Sequence, residues 1–215
     1  FKLSEYLSNN LNEEVNKKTA ELLQKTEEAL NARQETEETY KKISVLYKQM
    51  SHEIHLAKIV HDRIIPKECS TFPGIKVTIY TNPFMEIGGD FYDITKLEEG
   101  QTRLFVADAT GHGISASLAT ILIKVEYDKI KDSCAKPSEI FGRLNDIFFE
   151  YYRSLKMYIT GVVIDINTKH NIIMYASAGH PDQIIVKNGN LHELSRTGPA
   201  IGISRTPGYE DRTIN

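Results

Sequence analysis

The first 65 residues contain neither glycine nor proline. Glutamate, lysine, leucine and alanine dominate them, so helix propensity is high throughout. All 13 glycines and all 7 prolines stand from Pro66 onward. That change divides the chain into a helical segment, residues 1–65, and a mixed segment, residues 66–215. A continuous helix over residues 4–65 would be about 90 Å long at ~1.5 Å per residue. Such a helix cannot bury one face within a small domain, so it needs a partner helix.

The apolar pattern supports pairing in the second half of this segment. Ile43, Leu46, Met50, Glu53, Ala57, Val60 and Ile64 follow one another at alternating spacings of three and four, and Glu53 alone interrupts the apolar seam. Upstream the same frame gives Val15, Lys18, Leu22, Lys25, Ala29, Ala32, Thr36 and Thr39, which is weak, while Leu23, Leu30, Tyr40 and Tyr47 define a competing frame. Two readings stand: a homodimeric coiled coil that conducts a signal by rotating between registers, or a static dimerisation helix.

Composition narrows the classes of function. With 215 residues, a formal net charge of -3 and 40% hydrophobic residues, the chain suits one or two soluble domains with a real core. The near-neutral balance carries no nucleic-acid footprint. No apolar run approaches the ~20 residues of a membrane span. No signal peptide is present, and the start at Phe1 reads as a segment of something longer. Two cysteines, Cys69 and Cys134, make no disulfide framework, so two unpaired thiols in a reducing cytoplasm are expected.

Beyond Pro66 strands and helices alternate in blocks. Lys76–Tyr80 alternates like a strand, and Phe91–Ile94 and Thr102–Ala107 read as strands joined by a turn at Glu98-Glu99-Gly100-Gln101. Ser115–Lys131 is predicted helical, with Ala116, Leu118, Ala119, Leu122, Ile123 and Val125 forming an apolar face. Pro137 suits the first turn of a second helix reaching about Tyr152, with Ile140, Phe141, Leu144, Ile147 and Phe148 inward. Strands return at Met157–Asp165, Asn171–Ala176, Gln183–Val186 and Leu191–Leu194, the last two joined by an Asn188-Gly189 turn. Strands, two helices, then strands argue for an α+β fold with an antiparallel sheet.

The chemistry concentrates between Glu86 and Gly113. Gly88-Gly89-Asp90-Phe91-Tyr92-Asp93 and Asp108-Ala109-Thr110-Gly111-His112-Gly113 place two acidic clusters at two turns, separated by the apolar run Leu104–Ala107. Carboxylates at strand ends beside glycines suit hard cations such as Mg²⁺ or Mn²⁺, and glycine lets a main-chain carbonyl approach as a further ligand. Either aspartate alone could simply cap a turn; two such clusters joined by a short hairpin favour a metal.

Other short matches fail on their own terms. Gly88-Gly89-Asp90-Phe91 lacks the glutamate of a diguanylate cyclase signature. Met50-Ser51-His52-Glu53-Ile54 is followed by His55-Leu56-Ala57, not the basic residue and proline of a histidine-kinase phosphoacceptor box. His52-Glu53-Ile54-His55 is one residue short of the zinc-protease motif and has no evident third ligand. Cysteine-phosphatase chemistry needs arginine six residues after the cysteine, where this chain has Ile75 and Ile140.

The three blocks Gly88–Asp93, Ala107–Gly113 and Tyr175-Ala176-Ser177-Ala178-Gly179-His180-Pro181 together resemble the PPM phosphatases of the SpoIIE/RsbU type. Leu56–Pro66 is similar to the helix that leads into that domain, with His61 where glutamine is usual. Gly198-Pro199-Ala200-Ile201-Gly202-Ile203 is similar to a late segment of the family, with Ala200-Ile201 replacing the commoner pair. The resemblance covers roughly residues 50–211.

That resemblance implies a PPM α/β/β/α sandwich and a metal-dependent protein serine/threonine phosphatase using two Mn²⁺ or Mg²⁺ ions. By position Asp90 and Asp108 would be metal ligands, together with the Ala109 carbonyl. Asp93 would be a ligand, a hydrogen-bonding neighbour of one, or a turn cap. Gly89, Gly111, His112 and Gly113 would shape the turns, and His180 would be structural at a strand end. The implied substrate is a phosphoserine on a STAS-type anti-anti-sigma protein. Residues 115–152 would be switch helices repositioned by a coiled-coil homodimer. The implied location is cytoplasmic, with any membrane link through an upstream sensor. The family carries further metal-binding aspartates downstream, so residues 1–215 alone are expected to hold part of the dinuclear site, to bind metal weakly and to turn over little. The alternative reading is a non-catalytic pseudophosphatase that docks STAS partners.

Overall fold

The computed structural model describes residues 2–64, 72, 74–82, 87–98, 100–111 and 113–214, without the side chains of residues 2–8. Of the expectations above, those for Cys69, Glu86, Glu99, His112 and the Ile65-Pro66 end of the first helix lie outside the described residues. By contacts the chain divides into Phe1–Glu53 and Ile54–Asn215. The division falls earlier than the compositional boundary at Pro66. Proline marks where the helix must stop, whereas burial begins before that: His61 is buried and Ile54, Ala57 and Ile64 are partly covered.

The unbroken run without helix breakers gives one 63-residue helix, α1, spanning Lys2–Ile64. Threonines that would weaken it return their hydroxyls to the preceding turn, as in Thr19 to the Val15 carbonyl (2.8 Å) and Thr26 to that of Leu22 (2.7 Å). Residues of both apolar frames, Leu22, Leu23, Leu30, Ile43 and Leu46, are largely exposed in the single chain. Among the described residues no helix is long and apolar enough to cross a membrane.

The second unit is built on a five-stranded antiparallel sheet. Its strands are β1 (Asp90–Lys96), β2 (Gln101–Ala109), β3 (Ile159–Asn167), β4 (Ile172–Ala178) and β7 (Arg212–Ile214), in the order β1-β2-β3-β4-β7. β5 (Gln183–Lys187) and β6 (Asn190–Leu194) form a separate hairpin through the expected Asn188-Gly189 turn. Helices α2 (Ile114–Ile130) and α3 (Pro137–Ile147) lie in the β2–β3 connection and cover one face of the sheet.

The alternation of side chains along each strand decides what this sheet can do. Phe91, Phe105, Ala107, Val163 and Ala176 point to the helices and are buried with Ala116, Ile123, Tyr127, Ile140, Phe141 and Leu144. Phe105 is the hub, in edge contact with Phe91 (centroids 5.2 Å) and Phe141 (5.9 Å) and tilted against Tyr127 (4.8 Å). Arg103 and Asp165 are cross-strand partners on the same face, and Arg103 is fully buried. Its guanidinium takes the carboxylate with Nε and Nη2 at 2.6 Å each, and Nη1 donates to the Lys131 (3.3 Å) and Cys134 (3.0 Å) carbonyls. The joint between α2 and α3 is thereby fastened to the sheet. Burial is the largest influence and works against the Arg103 charge, but the hydrogen bonds and charge of Asp165, together with nearby Tyr127 and Cys134, raise the pKa above the usual arginine value.

Three expectations need correction. Lys76–Tyr80 forms no ladder among the described residues; Val77 and Ile79 are partly covered while Lys76, Thr78 and Tyr80 are exposed, so the alternation persists without a paired strand. Alternation reports which side faces the protein, not who pairs with it. On α2, Leu118 and Val125 are exposed, and Ser117, Thr120, Glu126 and Tyr127 take their places in the buried face. α3 ends as a regular helix at Ile147, and the chain continues through a π-helical turn, Phe148–Tyr152.

Candidate active site

Asp90 opens β1 and Asp108 stands next to last in β2, and the two are directly opposite in the antiparallel register. Both are exposed, on the sheet face away from α2 and α3. Gly89 makes the arrangement close. A Cβ built on it would lie 3.1 Å from the Ala109 carbonyl oxygen, 3.7 Å from Asp108 Oδ1 and 2.9 Å from Ala116 Cβ. Only a residue without a side chain leaves this cradle open. The Gly89 carbonyl is held from two sides, by the Ala109 amide (3.0 Å) and the Thr120 hydroxyl of α2 (2.9 Å).

The second turn leads straight into α2. Gly111 and Gly113 both take positive φ (104° and 69°), and the helix starts at Ile114. The Thr110 amide donates to the Tyr158 carbonyl (2.9 Å), and the Tyr158 amide to Thr110 Oγ1 (3.1 Å), which ties this turn to the start of β3.

The electrostatics are those of an unneutralised pair. Partial burial pushes the Asp108 carboxyl up from the usual aspartate value, and the neighbouring Asp90 charge pushes the same way. Two carboxylates and a carbonyl, all oxygen donors, suit a hard divalent cation. Among the described residues no group of three or more His, Cys, Asp or Glu is placed to hold a metal ion. The donor set gathered at Gly89 fits Mg²⁺ or Mn²⁺ as a partial shell.

Of the candidate residues, Asp90, Asp108, Ala109 and Gly89 are brought together, and Gly111 and Gly113 form the adjoining turn. Asp93 is not part of this group, and its assignment as a possible ligand is corrected. Three residues after Asp90 it falls on the opposite face of β1, buried against the helices. There it accepts a hydrogen bond from Thr95 Oγ1 (2.5 Å), and Lys131 Nζ lies 4.0 Å away. Asp211 is also accounted for: it accepts from the Ser138 amide (2.8 Å) and hydroxyl (2.6 Å) and so caps α3 from a distance.

His180 follows the end of β4 and contacts β3. Thr160 faces Asp108 in the β2–β3 register, and its Oγ1 lies 3.0 Å from His180 Nδ1. Asp90, Asp108, Thr160 and His180 thus form a row across the strand ends. Partial burial lowers the His180 pKa, while the Asp90 charge works to raise it. The glycine before it fixes the local backbone: Gly179 has φ 61° and approaches the Ala200 amide so closely that a Cβ would lie 2.7 Å from its nitrogen.

Comparison with known proteins bears on the family and the fold. The family model described as stage II sporulation protein E (SpoIIE) matches residues 98–215. The phosphoserine phosphatase RsbP of Bacillus subtilis (strain 168) is 27% identical over 145 residues, covering 66% of this chain. The match spans only 36% of the length of RsbP. Among solved structures, the SiaA-PP2C domain of Pseudomonas aeruginosa superposes with a TM-score of 0.64 at 19% identity, over 78% of this chain and 68% of that one. The PP2C phosphatase domain of SpoIIE from Bacillus subtilis, with a fragment of its regulatory domain, gives a TM-score of 0.51 at 17% identity, over 59% of this chain and 37% of that one. The sheet with its covering helices therefore has the PP2C-type fold, and the chain belongs to the stage II sporulation protein E (SpoIIE) family.

Proposed function

We propose that this chain is the catalytic part of a metal-dependent protein serine/threonine phosphatase that hydrolyses phosphoserine on a STAS-type regulatory protein. The observation that carries the proposal is the cradle at Gly89, where Asp108 Oδ1 and the Ala109 carbonyl oxygen converge beside the cross-strand partner Asp90. RsbP, a relative at 27% identity, bears the name phosphoserine phosphatase, which supports the same reaction class. Divalent ions of the Mg²⁺ or Mn²⁺ type, when bound, supply Lewis acidity and lower the pKa of water near the phosphorus. Asp90 and Asp108 would hold them, with the Ala109 carbonyl as a neutral third donor. Gly89 keeps the space open, and Thr120 and Ala116 fix it relative to α2. In this proposal α1 pairs with a second copy through its exposed seam and carries an input signal to the phosphatase unit.

The test is Mn²⁺-dependent release of phosphate from a phosphoserine STAS protein by the intact protein and by its Asp108→Asn variant. Release by the native protein and none above background by the variant is expected. Equal rates would remove Asp108 from the metal site.

A further inference from the structure

We propose that Thr120 is a positioning residue of the phosphatase: its hydroxyl, donated from α2, orients the Gly89 carbonyl and through it sets Asp90 against Asp108 for metal binding; this rests on the metal-dependent reading above. The argument starts from one oxygen atom. The Gly89 carbonyl belongs to the peptide unit that ends at the Asp90 Cα, and a peptide unit is planar. Fixing that oxygen therefore fixes the direction in which the backbone enters Asp90. The Ala109 amide, which donates to it at 3.0 Å, belongs to the peptide unit that begins at the Asp108 Cα. The Thr120 hydroxyl reaches the same oxygen at 2.9 Å. One atom thus links the backbones of both aspartates, which are register partners, to the helix.

The hydroxyl does what packing alone does not. Ala116 and Thr120 stand one turn apart on the same face of α2, and both are fully buried. Ala116 meets Gly89 through its methyl group, and such a contact limits distance without setting orientation. A hydrogen bond is directional. A carbonyl oxygen has two lone pairs, and the Ala109 amide and the Thr120 hydroxyl together match that capacity.

Thr120 has one hydroxyl proton and two acceptors at 2.9 Å, the Gly89 carbonyl and the Ala116 carbonyl of its own helix. In an α-helix the Ala116 carbonyl is already the acceptor of the Thr120 amide, so it stays satisfied without the hydroxyl. The Gly89 carbonyl lies outside the helix, and the hydroxyl is the hydrogen bond that α2 contributes to it. Positioning requires the proton to be shared with Gly89; a proton kept wholly on Ala116 is incompatible with it.

Two substitutions separate the hydroxyl from the space it fills. Thr120→Val keeps the shape and removes the hydroxyl; Thr120→Ser keeps the hydroxyl. Each would be made in the intact protein and compared with it by hydrogen exchange of the Ala109 amide without metal, by Mn²⁺ calorimetry, and by phosphate release from a phosphoserine STAS protein at varied Mn²⁺ and substrate. In Thr120→Val the Ala109 amide should exchange about 3- to 10-fold faster, beyond any change shared by the amides of β3, which is the worth of one hydrogen bond. Mn²⁺ affinity should fall by about the same factor, with KM for the phosphoprotein unchanged at saturating Mn²⁺. Thr120→Ser should recover most of both losses. A valine variant with native Ala109 exchange and native Mn²⁺ affinity would place the proton on Ala116 and overturn the proposal. Faster exchange shared equally by β3 with Mn²⁺ affinity unmoved would show a merely structural hydroxyl and overturn it too, as would a serine variant no better than valine. Absence of Mn²⁺-dependent phosphate release by the native protein would instead remove the phosphatase reading, whatever the Ala109 amide shows.

Discussion

Gly89 and Ala116 meet so closely that a Cβ on the glycine would lie 2.9 Å from the alanine Cβ. The first acidic turn is in this way set directly against the first turn of α2. Gly89→Ala should force the two apart at a cost of about 1–3 kcal/mol, the range for overpacking a tight contact. Phosphate release should fall by roughly 100-fold, because a shift of about 1 Å at a reacting centre costs that much. Adding Ala116→Gly removes the second methyl group and should restore part of the activity, although glycine costs about 1 kcal/mol in a helix. Urea unfolding and phosphate release on the single and double variants check both statements.

Asp108→Asn should separate stability from function. The Asp108 carboxyl is held above its usual value by partial burial and by Asp90. A carboxyl whose folded pKa exceeds its unfolded one adds stability below the unfolded value, and that increment is lost as pH rises through the folded value. At neutral pH the metal-free protein therefore carries the repulsion, and Asp108→Asn should raise its Tm slightly, by roughly 0–1 kcal/mol of stability for so exposed a pair. Below the unfolded-state pKa the gain should vanish. Saturating Mn²⁺ should stabilise the native protein and not the variant, as read by melting with and without the ion.

Arg103 should be among the most costly residues to replace. Arg103→Met leaves the Asp165 carboxylate without its partner and frees the Lys131 and Cys134 carbonyls. Breaking such a buried pair costs about 3–5 kcal/mol. Arg103→Lys keeps the charge and loses the two-pronged geometry, so most of that loss should remain. The Arg103→Met, Asp165→Leu double variant should be less destabilised than the sum of the single ones. Denaturant midpoints on the four proteins measure the coupling.

The exposed seam of α1 gives a prediction about assembly. Ile43, Leu46 and Met50 are each more than half exposed in the single chain. Leu46→Glu with Met50→Glu should convert a dimer into a monomer, and Glu53→Leu should tighten the dimer. Sedimentation equilibrium over a concentration series distinguishes the outcomes.

Local rules made much of this molecule legible in advance. The absence of glycine and proline before Pro66 announced α1, and the Asn188-Gly189 pair announced the β5–β6 hairpin. The two aspartates with glycines beside them announced an oxygen-rich turn pair, and their register confirms that they face each other. What escaped depended on partners distant in sequence. Asp93 looked like part of the acidic cluster until strand alternation turned it to the helix-covered face, toward Lys131. Thr120 and Ser117 look polar in a list of residues, yet they are buried because small side chains let α2 lie close to the sheet. Asp211 caps a helix that begins at Pro137, and His180 meets a threonine on another strand. No window of neighbouring residues contains either relationship.

The Arg103 clamp has a mechanical consequence for α2. It fixes the joint after Ile130, at the end of the helix opposite the acidic turns. α2 has 17 residues, which makes it a lever arm of about 25 Å with its pivot at that joint. A tilt of about 5° at the pivot would carry the first turn by roughly 2 Å over that length. The buried surface at that end, Ala116, Ser117, Ala119 and Thr120, carries only small side chains. Any tilt of the helix about that joint would displace it least where Arg103 holds the Lys131 and Cys134 carbonyls and most where it borders Gly89.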